Sequence, residues 1–192
     1  MADSPHRVPL EALHLDEPAV ARLAVYLDAV AAWGRRINLT GARTAEERVK
    51  RLVADVLPVL ALPEPGSLLD VGSGNGSPGL VLALLRDDLA VTLLEPRARR
   101  WAFLREAVRV SGRAGIGVLR NRHDTYSGAP ACTVTVRALV LPLPELAPLV
   151  EPEGRVVVLG RRPALQGPFE AEGFDRAGVH VFRRVGAVSR ET

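Results

Sequence analysis

The chain has 192 residues, 47% of them hydrophobic, with a formal net charge of +3, which is enough apolar material for one substantial core and points to a single folding unit. One cysteine, Cys132, excludes an internal disulfide and a cysteine-based zinc site, and no apolar run is long enough to span a bilayer. No stretch reads as a secretory leader, so a cytoplasmic monomer with no membrane partner and no metal is expected. The basic side chains are arginine with a single exception, Lys50. Codon bias is the simpler account of that, phosphate contact the alternative, and the placement of the arginines decides between them.

Residues 1–15 read as a loose arm. Asp16 and Pro18 start a helix whose apolar residues Val20, Leu23, Leu27 and Val30 recur at helical spacing up to Trp33, ending near Gly34. Thr44 and Glu47 form a capping box for a second helix with Val49, Leu52, Val53, Val56 and Leu57 on its apolar face, and Pro58 ends or kinks it. Both helices precede the first strand, so residues 1–62 are expected to cap a core spanning 63–192. That core alternates as a parallel sheet does. Strands are expected at Ser67–Val71, Ala90–Leu94, Gly115–Leu119, Thr133–Arg137 and Arg155–Leu159, with helices at Pro78–Leu85 and Ala98–Val110 and a short one within Pro144–Val150. Pro163 and Pro168 mark a loop, Val179–Arg183 an antiparallel edge strand, and the tail beyond Val185 a frayed end.

The stretch Ser67–Leu80, SLLDVGSGNGSPGL, organises this core. It is a strand that breaks into Gly72, Gly74 and Gly76 and reopens as a helix, the arrangement that brings backbone close to a nucleotide-like ligand in doubly wound folds. Gly74-x-Gly76-x-x-Gly79 also matches a dinucleotide fingerprint, with Glu95 near the spacing of a ribose-binding acid. Asp70, just before the first glycine, argues against a pyrophosphate, which it would repel, and for S-adenosyl-L-methionine (SAM), whose amino group and sulfonium are cationic. The expected fold class is α/β: Rossmann-like, mostly parallel, with an antiparallel edge strand and an N-terminal helical extension, SAM being favoured over an NAD-type dinucleotide as its ligand. The class I SAM-dependent methyltransferase form of that fold is what the resemblance described next implies.

Three separated blocks resemble one family, the glucose-inhibited-division-B (RsmG-type) 16S ribosomal RNA guanine-N7 methyltransferases. Trp33–Thr40, WGRRINLT, is similar to that family's W-N-x-x-I-N-L-T block, Leu69–Leu80 to its L-D-V-G-S-G-x-G-F-P-G-L loop, and Thr135–Ala138, TVRA, to T-S-R-A. Val91–Leu104 resembles the segment behind the loop. Order and spacing agree over roughly residues 20–162. The chain departs from the pattern at Leu52 and Val56, where the family has histidine and serine, at Ser77 in place of a bulky residue, at Asp124 for glutamate, and in a short C-terminal part. The resemblance implies a methyltransferase acting on 16S rRNA in the small ribosomal subunit, with SAM as donor and S-adenosyl-L-homocysteine as product. A SAM methyltransferase on another RNA or a small molecule, and a non-catalytic SAM- or RNA-binding relative, stay open.

Guanine N7 carries a free lone pair, so no general base is required and the residues mainly position. No Asn/Asp-Pro-Pro-aromatic motif follows the fourth strand, and Cys132 opens that strand and is expected buried and inert. On the cofactor side, Asp70 is expected to hold the methionine amino group electrostatically. Gly72, Gly74 and Gly76 are expected to supply close backbone and Ser77 an amide. Glu95 is expected to accept from the ribose hydroxyls, Pro96 and Arg97 to flank adenosine, and Asp124, with a backbone amide at His123 or Asp124, to meet adenine. The alternative for Glu95 and Asp124 is a capping or surface carboxylate. Arg137, ending the fourth strand, is expected to pair with the cofactor carboxylate or a phosphate, or to donate to guanine O6. Asn38 and Thr40 either line the entrance above the methyl group or merely end a helix. Arg97 and Arg100 are either an RNA-facing rim or a solvated helix face, and Tyr126 and Trp33 are the stacking candidates for a flipped base.

Overall fold

The structure, a computed structural model, describes residues 4–174 and 176–186. Three N-terminal helices come first: α1 (Arg7–Glu11), α2 (Glu17–Gly34) and α3 (Ala45–Val49), the last running on as a π-helical turn over Lys50–Ala54. The Asp16 carboxylate accepts the Ala19 amide at 2.8 Å to start α2. Thr44 Oγ1 accepts from the Glu47 amide at 3.2 Å while Glu47 returns a carboxylate oxygen to the Thr44 amide, the reciprocal box that the sequence signals.

The α/β core follows as β1 (Gly66–Val71), α4 (Gly79–Leu85), β2 (Leu89–Leu94), α5 (Ala98–Ser111), β3 (Ile116–Leu119), β4 (Ala131–Arg137), α6 (Leu143–Leu146), β5 (Val150–Leu159), β6 (Phe169–Glu172) and β7 (Val179–Arg184). The sheet order is β3-β2-β1-β4-β5-β7-β6. Strands β1 to β5 pair in parallel, and β7 is antiparallel to both β5 and β6. The order reverses between β1 and β4, so the carboxyl ends of those strands flank the crevice where such sheets take ligands. Side chains alternate across the pleat: Leu68, Val91 and Leu93 join the helices α2, α4 and α5 in one core, and Leu69, Leu94, Val134 and Val136 pack with Leu143 and Leu146 on the other face.

Two expectations need correction. Over its described residues, 4–15, the expected loose arm is packed instead: His6 and Leu10 are both fully buried, and residues 1–3 lie outside those described. His6 Nδ1 lies 2.7 Å from Asp28 Oδ1, and its Nε2 accepts from Arg48 Nε at 2.9 Å, tying α1 to α2 and α3. An arginine can only donate, so His6 is neutral with its proton on Nδ1, and burial holds its pKa below the usual histidine value. Five helical residues are too few to show a period, which hid α1 from the sequence. The edge strand is β6, not β7. Its four residues, FEAE, follow Pro168 and carry almost no strand signal, and pairing to β7 is what makes them a strand. Of the tail expected to fray beyond Val185, Gly186 donates its amide to Glu153 Oε1 at 3.0 Å, and residues 187–192 lie outside those described.

Candidate active site

A cleft of about 850 Å³ opens at the carboxyl ends of β1, β2 and β4. Its walls include Gly72, Gly74, Ser77, Glu95, Pro96, Arg97, His123 and Arg137 from the sequence-derived site, together with Leu39, Thr40, Asn75, Arg51, Arg100 and Leu139.

Glu95 is the best-defined group. It is buried, Oε2 accepts the Gly74 amide at 3.0 Å and Oε1 the Arg97 amide at 2.8 Å. Two backbone donors fix the carboxylate's rotamer and leave each oxygen a further lone pair toward the cleft. Gly74 makes this possible with a positive φ of 53°. A side chain on Gly72 would put its Cβ 3.0 Å from Leu139 Cδ2, so the first glycine keeps the cleft floor bare.

Asp70 does not line the cleft. It lies beneath the glycine loop, fully buried, with Oδ1 accepting the Thr135 hydroxyl at 2.6 Å and Oδ2 without a hydrogen-bond partner. Desolvation pushes its pKa up to about 6 against the opposing pull of Thr135, Ser73, the Gly79 amide and Arg137. Whatever it does for a ligand acts through the loop rather than by contact. Gly79 packs against it so closely that a Cβ there would fall 2.4 Å from Asp70 Cβ.

Ser77 lines the cleft, yet its groups are engaged elsewhere. Its amide donates to Asn75 Oδ1 at 3.0 Å, which removes the ligand-facing amide expected of it. Its hydroxyl donates to the Leu52 carbonyl at 2.8 Å and accepts from Arg137 Nη1 at 2.7 Å. Arg137 also donates from Nη2 to the Arg51 carbonyl at 2.7 Å and lies 3.4 Å from Asp55 Oδ2. The π-helical turn presents those Arg51 and Leu52 carbonyls. Two departures from the family pattern, Leu52 and Ser77, are therefore in contact, and Arg137 joins them.

Other expected residues separate. Gly76 is not in the wall: it is packed between Leu80 and Tyr26. Asn38 is exposed and offers only its carbonyl, which accepts from Arg100 Nη2 at 3.1 Å. Asp124 is exposed, outside the wall, and paired with Arg122 at 2.9 Å. His123 is in the wall, with Nε2 held 2.7 Å from Glu145. Trp33 packs edge-to-face on Phe103 at 6.0 Å, and the Tyr126 hydroxyl donates to the Ala129 carbonyl, so neither stacking candidate reaches the cleft. Cys132 is half-buried rather than buried, at the opposite end of β4. No group of three or more potential metal ligands occurs among the described residues.

Sequence reasoning missed Asn75 and Tyr26. The Asn75 amide accepts from Ser77 and donates to the Leu39 carbonyl at 3.0 Å, pinning the Asn38-Leu39-Thr40 segment to the loop, and the Tyr26 hydroxyl donates to the Asn75 carbonyl at 2.8 Å. Tyr26 stands within the apolar run of α2 and Asn75 within the glycine loop, and no spacing singles either of them out.

The fold, the glycine loop and the acid at the end of β2 define a class I SAM-dependent methyltransferase. The structure is similar to that of an RNA methyltransferase from Salinibacter ruber in complex with S-adenosyl-L-homocysteine, at a TM-score of 0.58 and 18% identity over 72% of this chain and 95% of that one. The family profile described as GidB, rRNA small subunit methyltransferase G, matches residues 19–163. Ribosomal RNA small subunit methyltransferase G of Halorhodospira halophila is 38% identical over 77% of this chain and 72% of its own length. The Neisseria meningitidis serogroup C (strain 053442) protein of the same name is 33% identical over 88% and 82%. The chain belongs to the GidB family.

Proposed function

We propose that the protein transfers the methyl group of SAM to N7 of a guanine in 16S rRNA of the small ribosomal subunit, working as a cytoplasmic monomer in which residues 1–62 cap a methyltransferase core at 63–192. The observation that carries this reading is the union, in one cleft, of a fixed ribose-type acid, Glu95, with an arginine-lined mouth.

The residues fit the cofactor. Glu95 offers two oriented oxygens to a ribose diol, Gly72 and Gly74 leave room for close approach, and the orphaned Oδ2 of Asp70 puts negative charge under the loop for an ammonium group. Pro96, Arg97 and His123 line the cleft on the side given to the adenosine. When bound, SAM would supply an electrophilic methyl carbon on sulfur to a guanine N7 that brings its own lone pair. No proton leaves, so no base is needed. The titratable groups in the cleft agree: Asp55 faces Arg137, Glu95 is taken by two amides and His123 by Glu145. What the chain contributes is orientation and exclusion of water.

Incubation with methyl-labelled SAM and either naked 16S rRNA or 30S subunits, followed by nucleoside analysis, tests the reading. Label in N7-methylguanosine is expected. Label at another position, or in small metabolites only, overturns it.

A further inference from the structure

A base that must present N7 to a methyl group needs a face to rest on, and nucleic-acid enzymes commonly supply an aromatic ring. No Phe, Tyr or Trp lines this cleft among the described residues. Its apolar surface is aliphatic instead, and part of it is exposed to solvent. Leu139, which lines the cleft immediately beyond Arg137 and Ala138, is 39% exposed; its neighbour Val140 is 69% exposed and borders the small hollow beside the cleft, which shares Leu139 and Leu141 with it. The remaining large exposed hydrophobics, Val8, Leu119 and Leu165, are scattered along the chain.

The position of this pair is fixed by backbone. Ala138 is held in a left-handed conformation, φ 54°, and its amide donates to the Leu159 carbonyl at 3.1 Å at the end of β5. A residue with a Cβ pays strain there, and such conformations gather at functional sites. The effect is to turn the chain so that Leu139 comes down over Gly72, the first glycine of the cofactor loop, with Cδ2 3.0 Å from where a Cβ would stand. A group resting on Leu139 is thus beside the stretch of loop that the cofactor follows. Five arginines line the cleft: Arg122 and Arg137 are paired with Asp124 and Asp55, while Arg51, Arg97 and Arg100 form no ion pair with a carboxylate among the described residues. An apolar seat beside three arginines without a paired carboxylate suits a base whose flanking phosphates lie outside.

We propose that Leu139 is the seat for the target base, with exposed Val140 extending it outward beyond the cleft wall, an inference that rests on the RNA methyltransferase reading above. The face of the purine lies on the two aliphatic side chains, which exclude water from one side of the ring and set its plane toward the methyl group.

The test compares the full-length protein with Leu139→Ala, Leu139→Met and Val140→Ser, reading SAM affinity by calorimetry and kcat and KM for the 16S rRNA substrate. Leu139→Ala is expected to lower kcat/KM for RNA by roughly tenfold, and Val140→Ser by roughly threefold, with SAM affinity unchanged within about twofold. Leu139→Met, which keeps apolar volume, restores most of the loss. Val140 is largely exposed, so its variant folds normally and keeps the test independent of stability. Wild-type kinetics in both Leu139→Ala and Val140→Ser overturns the seat, and so does a fall in SAM affinity as large as the fall in kcat/KM, which would make Leu139 mere packing for the loop. A wild-type protein that labels no RNA overturns the methyltransferase reading itself and the seat with it.

Discussion

Arg137 donates a hydrogen bond of 2.7 Å to the hydroxyl of Ser77, across 60 residues of sequence, and so fastens the end of β4 to the cofactor loop. The same guanidinium reaches the Arg51 carbonyl and Asp55, and Ser77 reaches the Leu52 carbonyl, so one pair couples the N-terminal helices to the glycine loop. Removing either partner leaves polar groups in a partly buried place. Arg137→Ala should cost about 1–3 kcal/mol of stability and Ser77→Ala about 1 kcal/mol, with the double variant less destabilised than the two losses added. Urea unfolding of the four proteins measures this; strict additivity would mean that the bond contributes nothing.

Glu95→Gln should weaken SAM binding by at least tenfold and cost about 1–3 kcal/mol of stability. Both carboxylate oxygens accept backbone amides, so a glutamine NH2 must oppose one of them, either the Gly74 or the Arg97 donor. The rotamer that faces the cleft is then lost along with the charge. Calorimetric titration with SAM checks it, and unchanged affinity would remove Glu95 from the ribose role.

The helices α2 and α5 were legible in the sequence by their period, and the strands β1, β2 and β4 and the helix α4 as short apolar runs with turn residues at their ends. Asp16, Thr44 and the glycines mark their boundaries chemically. The cofactor loop was legible for the same reason: a positive φ at Gly72 and Gly74 leaves few alternatives to glycine. Exposure of particular side chains was not. Asp70 and Glu95 are both acids at the ends of strands, yet one is sealed under α4 and the other opens on the cleft, and only the packing of Gly79 separates them. Asn38 and Asp124 failed likewise, because motif spacing fixes a backbone position and leaves side-chain direction to tertiary contacts. The arginine excess, ambiguous as composition, gained meaning from place: Arg22, Arg86, Arg155 and Arg183 are ion-paired away from the cleft, while Arg51, Arg97 and Arg100 line it.

Two glycines should respond in opposite ways. Gly79→Ala drives a Cβ to 2.4 Å from Asp70 Cβ, close to two backbones that cannot part without moving α4 from β1. A loss of about 3 kcal/mol or more, or failure to fold, is expected. Gly34 ends α2 with open space around it, so Gly34→Ala should add about 0.5 kcal/mol by restricting the unfolded chain. Thermal unfolding of both variants separates steric from conformational roles; a neutral Gly79→Ala would show that the helix start is not tightly seated on Asp70.

Asp70 gives a pH dependence with a definite sign. Its pKa is about 6 in the folded chain against 3.8 ordinarily, so the fold favours the protonated form. The stabilising effect is present below the ordinary value and is lost as pH rises to about 6; above that the ionised, buried carboxylate is a constant liability of about 3 kcal/mol at most. His6 works the other way, its depressed pKa making the fold less stable as pH falls below the ordinary histidine range. Comparing wild type with Asp70→Asn cancels that contribution. The advantage of the asparagine variant in unfolding free energy should therefore grow between pH 4 and pH 7 and stay flat beyond. SAM affinity should move oppositely: wild type, needing the negative charge beneath its loop, should bind roughly tenfold more weakly at pH 5 than at pH 7.5, and Asp70→Asn weakly at both. A wild-type affinity independent of pH across that interval would show that the charge of Asp70 does not reach the ligand and that the residue serves only to seat α4 on the sheet.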